Sequence, residues 1–163
     1  MRILFISAWF PFPPDNGSRI RVYNLIKALA GRHDVRLICL LQDDSDPAKA
    51  EQAQDICSVV SLHPGRRFRP NTLKAALGFF SSRPRSFVDT YDPAVGAAVR
   101  SALDELCPDV LIASTLGVAE YVPKRLSVPC VLEQHNCEYA VLKRSAERIP
   151  GAIRRKRYEL GWR

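Results

Sequence analysis

Apolar, β-branched stretches alternate along this chain with segments whose apolar residues recur every three to four positions. RILFIS (Arg2 to Ser7), DVRLICLL (Asp34 to Leu41), CSVVSL (Cys57 to Leu62), DVLIAS (Asp109 to Ser114) and PCVLE (Pro129 to Glu133) predict five strands. Their near-continuous apolar character predicts strands covered on both faces. Between the first two, Val22, Leu25, Ile26 and Leu29 mark the inner face of a helix, with Arg21, Asn24 and Lys27 outside and Gly31 at its stop. A second helix is expected to open on the cap Asp92 with Pro93 in its first turn, and to bury Val95, Val99, Ala102, Leu103 and Leu106. Leu73 to Phe80 predicts a further short helix, while Gln42 to Glu51 and Ser81 to Ser86 have the composition of surface loops. Strands alternating with helices imply βαβ units, and hence a doubly wound parallel sheet in three α/β/α layers.

Composition keeps this picture and narrows the setting. A chain of 163 residues suits one domain, 1–163, and its 47% hydrophobic against 25% charged content excludes a disordered chain. No apolar run approaches the roughly 20 residues of a membrane-spanning helix. The start MRILFISAWF carries one basic residue and runs directly into prolines, which argues against a secretory signal and for a cytoplasmic protein. Cys39, Cys57, Cys107, Cys130 and Cys137 are odd in number and scattered, without a CxxC pair or metal-ligand spacing. They suit a reducing compartment, are expected to be buried structural thiols, and point to no metal.

Charge adds a local feature. The net charge is +7, but from Ile56 to Val88 there is no acidic residue against Arg66, Arg67, Arg69, Lys74, Arg83 and Arg85. A second basic stretch runs from Lys143 to the end, and the rest of the chain is net acidic. Local positive fields attract anionic surfaces and phosphates. RRFRPNTLKAALGFFSSRPR (Arg66 to Arg85) has the composition of a segment lying on an anionic membrane surface, with Arg66, Arg67, Arg69 and Lys74 at head groups and Phe79 and Phe80 entering. The plainer expectation is an amphipathic surface helix with both phenylalanines in the core. RRKR (Arg154 to Arg157) could serve a nucleic acid, but no aromatic stacking platform accompanies it, so a solvated helix face is the expectation.

The break after the first strand, FPFPPDNGSRIR (Phe10 to Arg21), carries candidate chemistry. In doubly wound sheets ligands bind beyond the carboxyl ends of strands, and a glycine at the first strand-to-helix turn lets backbone approach a phosphate. Asp15, Asn16, Gly17, Ser18 and Arg19 occupy that place, although neither GxGxxG nor GxxxxGK[ST] is present. A plain loop whose Asp15, Asn16 or Ser18 caps the helix accounts for the same residues. After the fifth strand, QHNCEYAVLKR (Gln134 to Arg144) puts His135, Asn136 and Glu138 at the matching position.

Together MRILFISAWFPFPPDNGSRIRVYNLIKALAGRHDVRLICL, PDVLIAS and VLEQHNCEY resemble the amino-terminal half of family 4 glycosyltransferases, retaining enzymes of the GT-B fold. The resemblance implies a Rossmann-like domain that chiefly holds the acceptor, a polysaccharide or lipid-linked glycan. A second domain would bind most of a nucleotide-sugar, the co-substrate, with no other cofactor. Gly17 and Ser18 would then approach the donor's diphosphate or sugar, and His135 the reacting sugar. Asp15, Asn16, Arg19, Asn136 and Glu138 would be available to the acceptor. This sequence has NGS where the family often carries adjacent glycines, and it stops at Arg163, where the second domain would begin. Turnover is therefore expected only from a longer, two-domain protein, cytoplasmic or peripheral at the inner face of a membrane. A non-catalytic membrane- or glycan-binding module is the first alternative reading, and a basic nucleic-acid binder the second.

Overall fold

The structure, a computed structural model, describes residues 1–42, 50–148 and 150–151. The five expected strands form one parallel sheet: β1 (Arg2–Ser7), β2 (Asp34–Leu41), β3 (Ser58–Pro64), β4 (Val110–Ser114) and β5 (Cys130–Glu133). Their spatial order, β3-β2-β1-β4-β5, is that of the first five strands of a Rossmann sheet. The chain builds outward from β1 through β2 to β3, then returns to place β4 on the other side of β1.

Alternation along each strand sorts the core into two layers. Ile3, Phe5, Val35, Leu37 and Cys39 face α1 (Gly17–Ala30), which buries Val22 and Ile26 against them. Leu4, Ile6, Ile38, Leu111 and Ala113 are buried on the opposite face, where α5 (Pro93–Leu106) crosses β1 and β3 and buries Val95, Val99 and Ala102. Asp92 caps α5 as expected, its carboxylate accepting from the Ala94 N–H at 2.9 Å, with Pro93 in the first turn. The edge strand β5 departs from expectation: Val131 and Leu132 point to opposite faces and both are exposed. A strand with one neighbour at a sheet margin is covered least.

Short elements complete the sheet unit, which comprises Met1–Arg66 and Asp92–Glu133. α2 (Ala50–Ala53) takes up the end of a stretch expected as loop, whose residues 43–49 lie outside the described residues, and α6 (Leu116–Ala119) follows β4. Two buried thiols meet expectation, Cys39 and Cys57. Cys107, Cys130 and Cys137 are exposed instead, because they occupy the end of α5, the edge strand and the turn before the last helix.

The second compact unit comprises Arg67–Tyr91 and Gln134–Arg163. It contains α3 (Leu73–Leu77), a 3₁₀ turn (Gly78–Phe80), α4 (Arg85–Thr90) and α7 (Glu138–Glu147). α4 starts inside the Ser81 to Ser86 stretch expected as loop. Phe79 and Phe80, expected in the core, are exposed, since α3 turns Ala75 and Gly78 inward in their place. The basic run 154–157 lies outside the described residues. Among the described residues no helix is long and apolar enough to cross a membrane.

Candidate functional site at the switch point

The strand order reverses between β1 and β4, and the carboxyl ends of those strands are where such sheets hold ligands. Ser7 and Ser114 end the two strands as register partners, and both are fully buried. The Ser7 hydroxyl donates to the Trp9 carbonyl at 2.7 Å and accepts from the Trp9 N–H at 3.1 Å, turning the chain out of the sheet. Gln42, at the end of β2, donates to the Leu40 and Ala8 carbonyls and accepts from the Phe10 N–H at 3.3 Å. Phe12 packs edge-on against Tyr23 of α1, with ring centroids 5.3 Å apart. The proline-rich loop is thus tied to the sheet at one end and to the helix at the other.

Its far end builds the start of α1. The Asn16 carboxamide oxygen accepts from the Arg19 N–H at 3.1 Å, the capping geometry that satisfies one of the orphan donors of a helix start. Its amide nitrogen donates to Asp15 Oδ1 at 3.1 Å. Arg19 is 2% exposed and donates through Nη1 to both Asp15 oxygens, at 3.0 and 3.2 Å. Asp15 remains half exposed beside it. A buried guanidinium needs such a partner, so the Arg19–Asp15 pair acts first as the fastening of this loop. Gly17 lies in open space: a Cβ there would meet nothing within 4 Å, and its φ is not left-handed. Neither packing nor backbone conformation in the protein accounts for a glycine at this position.

Across the switch point, β5 contributes a carboxylate that sequence reasoning passed over. Glu133 Oε2 accepts from the Ser114 hydroxyl at 2.7 Å, and Oε1 accepts from Arg21 Nε of α1 at 2.5 Å. Glu133 is nearly buried while Arg21 is half exposed. Next to Ser114, Thr115 adopts φ 76°, ψ 157°, a region hostile to a β-branched residue, and its N–H donates to the Glu133 carbonyl at 2.8 Å. A non-glycine residue held there is a local strain sustained by its surroundings, and such positions cluster at functional sites. Cys39, in register with Ser7, is not a nucleophile in waiting: burial pushes its thiol far up, keeping it protonated.

Asp15, Asn16, Gly17, Ser18 and Arg19 therefore stand together at the carboxyl edge of the sheet, and Arg21, Ser114, Thr115 and Glu133 join them. His135, Asn136 and Glu138 belong to the second unit. There Gln134 donates to the Asn136 carbonyl at 2.6 Å, and Glu138 opens α7. His135 is partly buried, and its Nδ1 is buried with no hydrogen-bond partner among the described residues. Arg66 pairs with Asp92 at 3.4 Å in the sheet unit, whereas Arg67, Arg69, Lys74, Phe79 and Phe80 lie in the second. Among the described residues no group of three or more histidine, cysteine or carboxylate side chains is placed to hold a metal ion.

The chemistry available at the sheet edge is of two kinds. The α1 start offers backbone N–H groups and the positive end of a 14-residue helix, both suited to an anion. The Arg21–Glu133–Ser114 chain offers paired charged donors and acceptors suited to hydroxyl groups.

No protein-family model matches this chain, and no curated protein matches it. Among solved structures, the crystal structure of the glycotransferase of kitacinnamycin is similar over 96% of this chain and 37% of its own, with 16% identity and a TM-score of 0.44. The chain thus spans little more than a third of that protein's length.

Proposed function

We propose that this chain is the acceptor-side domain of a retaining glycosyltransferase, working opposite a second domain that carries the nucleotide-sugar. The observation that carries the reading is the open space over Gly17 at the head of α1, beside a hydrogen-bonded carboxylate at the switch point of a Rossmann-ordered sheet. The motif resemblance of the strand, loop and helix at Met1 to Leu40 agrees with it.

In this reading the donor's diphosphate settles over Gly17 and Ser18, where backbone N–H groups oppose the charge that grows as the nucleoside diphosphate departs. Fixed donors of this sort contribute most where water is excluded, which the opposing domain accomplishes on closure. The acceptor hydroxyl attacks from the face the leaving group vacates, giving retention. His135 is the residue of the second unit that acts on the transferred sugar. Asp15 and Asn16 hold acceptor hydroxyls, and Arg19 contributes by keeping Asp15 in place. The nucleotide-sugar is the co-substrate, and the acceptor is a polysaccharide or a lipid-linked glycan.

The first test is the intact mass of the native gene product, followed by transfer assays on that product with uridine, guanosine and thymidine diphosphate sugars. A mass well above 18.3 kDa together with nucleotide-sugar-dependent glycan elongation is the expected result. A native mass of 18.3 kDa with no transfer in any partner's presence overturns the reading and favours a stand-alone binding module.

A further inference from the structure

The short helix α3 is inverted relative to ordinary solution amphipathicity. Its buried residues are small, Ala75 together with Gly78 just beyond its end. Leu73 and Leu77, i and i+4 on one side of α3, and Phe80, in the 3₁₀ turn that follows, are 79%, 57% and 92% exposed. Large apolar side chains aligned toward water are unfavourable for an isolated protein, and they mark a surface that meets another phase or partner.

These side chains are held out by a rigid support. Arg85 of α4 donates through Nε to the Ala75 carbonyl at 2.8 Å and through Nη2 to the Pro70 carbonyl at 3.0 Å. Its guanidinium also stacks 3.8 Å from the Phe79 ring centroid. A Cβ on Gly78 would come within 2.9 Å of the Arg85 Cα, so the two helices pack as closely as backbone permits. The exposure is thus built into the packing of α3 on α4.

Charge identifies the occupant. Residues 67–91 hold five basic side chains and one acid, Asp89. That acid is engaged: it accepts from the Thr72 hydroxyl and from the Arg69 N–H. A second copy of this chain would bring the same positive field against itself. A nucleic acid would satisfy the charge and could stack on Phe80, but it offers no apolar phase for Leu73 and Leu77. An anionic bilayer supplies both, negative head groups over hydrocarbon.

We propose that residues 67–91 dock this protein on anionic lipid membranes, with Leu73, Leu77 and Phe80 entering the acyl boundary and Arg69 and Lys74 at the head groups. The inference stands apart from the glycosyl-transfer reading and does not depend on it. The test is flotation of the native protein with phosphatidylcholine vesicles and with vesicles carrying about 30% phosphatidylglycerol. The expected result is at least about tenfold stronger partition onto the anionic vesicles, weakened by salt, and a roughly tenfold loss in a Leu77→Ser, Phe80→Ser variant. That variant changes exposed residues only, so its thermal midpoint and circular dichroism stay those of the native protein. Phe80→Trp, which keeps the bulk, retains binding and shifts its emission to the blue on anionic vesicles. Equal partition onto both vesicle types overturns the proposal, as does unchanged binding by the double-serine variant. So does a dimer in sedimentation analysis that the same two substitutions dissolve while the native protein ignores vesicles.

Discussion

Arg21 Nε donates to Glu133 Oε1 across 2.5 Å, joining the first helix to the last strand of the sheet although 112 positions separate them in sequence. The same carboxylate accepts from Ser114 of β4. One side chain thereby ties three elements together above the point where the strand order reverses. Arg21 is half exposed, so its guanidinium stays within reach of solvent while Glu133 is nearly buried.

The first prediction concerns this chain of contacts. Glu133→Ala leaves the Ser114 hydroxyl without its acceptor and costs about 1–3 kcal/mol, whereas Glu133→Gln keeps an acceptor for Ser114 and costs less. The Arg21 contact is half solvated, so a double-mutant cycle with Arg21→Ala yields a coupling of only about 0.2–1 kcal/mol. Urea unfolding of the native protein, Glu133→Ala, Glu133→Gln, Arg21→Ala and the Glu133→Ala, Arg21→Ala double variant measures each quantity. A coupling indistinguishable from zero would mean that Arg21 is held by solvent, not by Glu133.

Gly17 and Gly78 contrast a glycine in open space with one packed against backbone. Gly17→Ala places a methyl in open space, so stability holds or rises by about 0.4–1 kcal/mol as the unfolded chain loses freedom. On the proposed reading, transfer by the native gene product nevertheless falls, by roughly tenfold or more, because the methyl would stand where the diphosphate approaches. Gly78→Ala does the reverse, driving Cβ toward the Arg85 backbone at a cost of about 1–3 kcal/mol in stability. Urea midpoints and transfer rates measured on both variants distinguish the two roles. Full transfer activity in Gly17→Ala removes Gly17 from the donor site.

Much of the sheet was legible in the sequence because its central strands β1, β2 and β4 are largely buried on two faces and read as short apolar, β-branched runs between turn signals. The Asn16 and Asp92 caps were legible for a similar reason, since their chemistry is local. Glu133 was not: its partners lie on α1 and β4, and only the strand order brings them together. Cys107 and Thr115 escaped notice because a left-handed backbone is signalled by glycine, and neither is one. The orientation of α3 was misread on equally physical grounds. Leucines and phenylalanines at helical spacing ordinarily mark the buried face, and here Ala75 and Gly78 take that face through close contact with α4.

The thiols separate by burial. Cys107 and Cys137 are exposed and should react with a maleimide in the native protein within the time that Cys39 and Cys57 remain unmodified. Cys130 is also exposed, but burial of its sulfur pushes its thiol above the ordinary value, and it should label more slowly than the other two. Peptide mapping after timed labelling reads the order directly. Early modification of Cys39 would contradict its complete enclosure beneath the sheet edge.

Stability should fall in alkali for a related reason. Burial pushes the Cys57 thiol from 9.0 up to about 11, and Cys39 is raised further. Below pH 9 both thiols are protonated in folded and unfolded chains alike, and their contribution is fully present. As pH rises through 9 toward 11 the unfolded chain releases protons that the folded one retains, so unfolding becomes easier by up to about 1.4 kcal/mol per pH unit for each thiol. A Cys39→Ala, Cys57→Ala variant should show a shallower decline of the urea midpoint over that window. An identical slope in both proteins would assign the alkaline loss to other groups.

His135 carries the last prediction. Its Nδ1 is buried without a protein partner among the described residues. If His135 acts on the transferred sugar only as it reacts, as proposed, His135→Ala lowers kcat by about tenfold to a hundredfold and leaves KM nearly unchanged. His135→Asn restores part of the rate, because an amide can present a hydrogen-bonding group in much the same place. A merely structural histidine behaves differently, with His135→Ala lowering the thermal midpoint while the activity of the folded fraction stays native. Measuring kcat, KM and thermal midpoint on the three proteins separates these outcomes, and native turnover in His135→Ala takes the residue out of the mechanism.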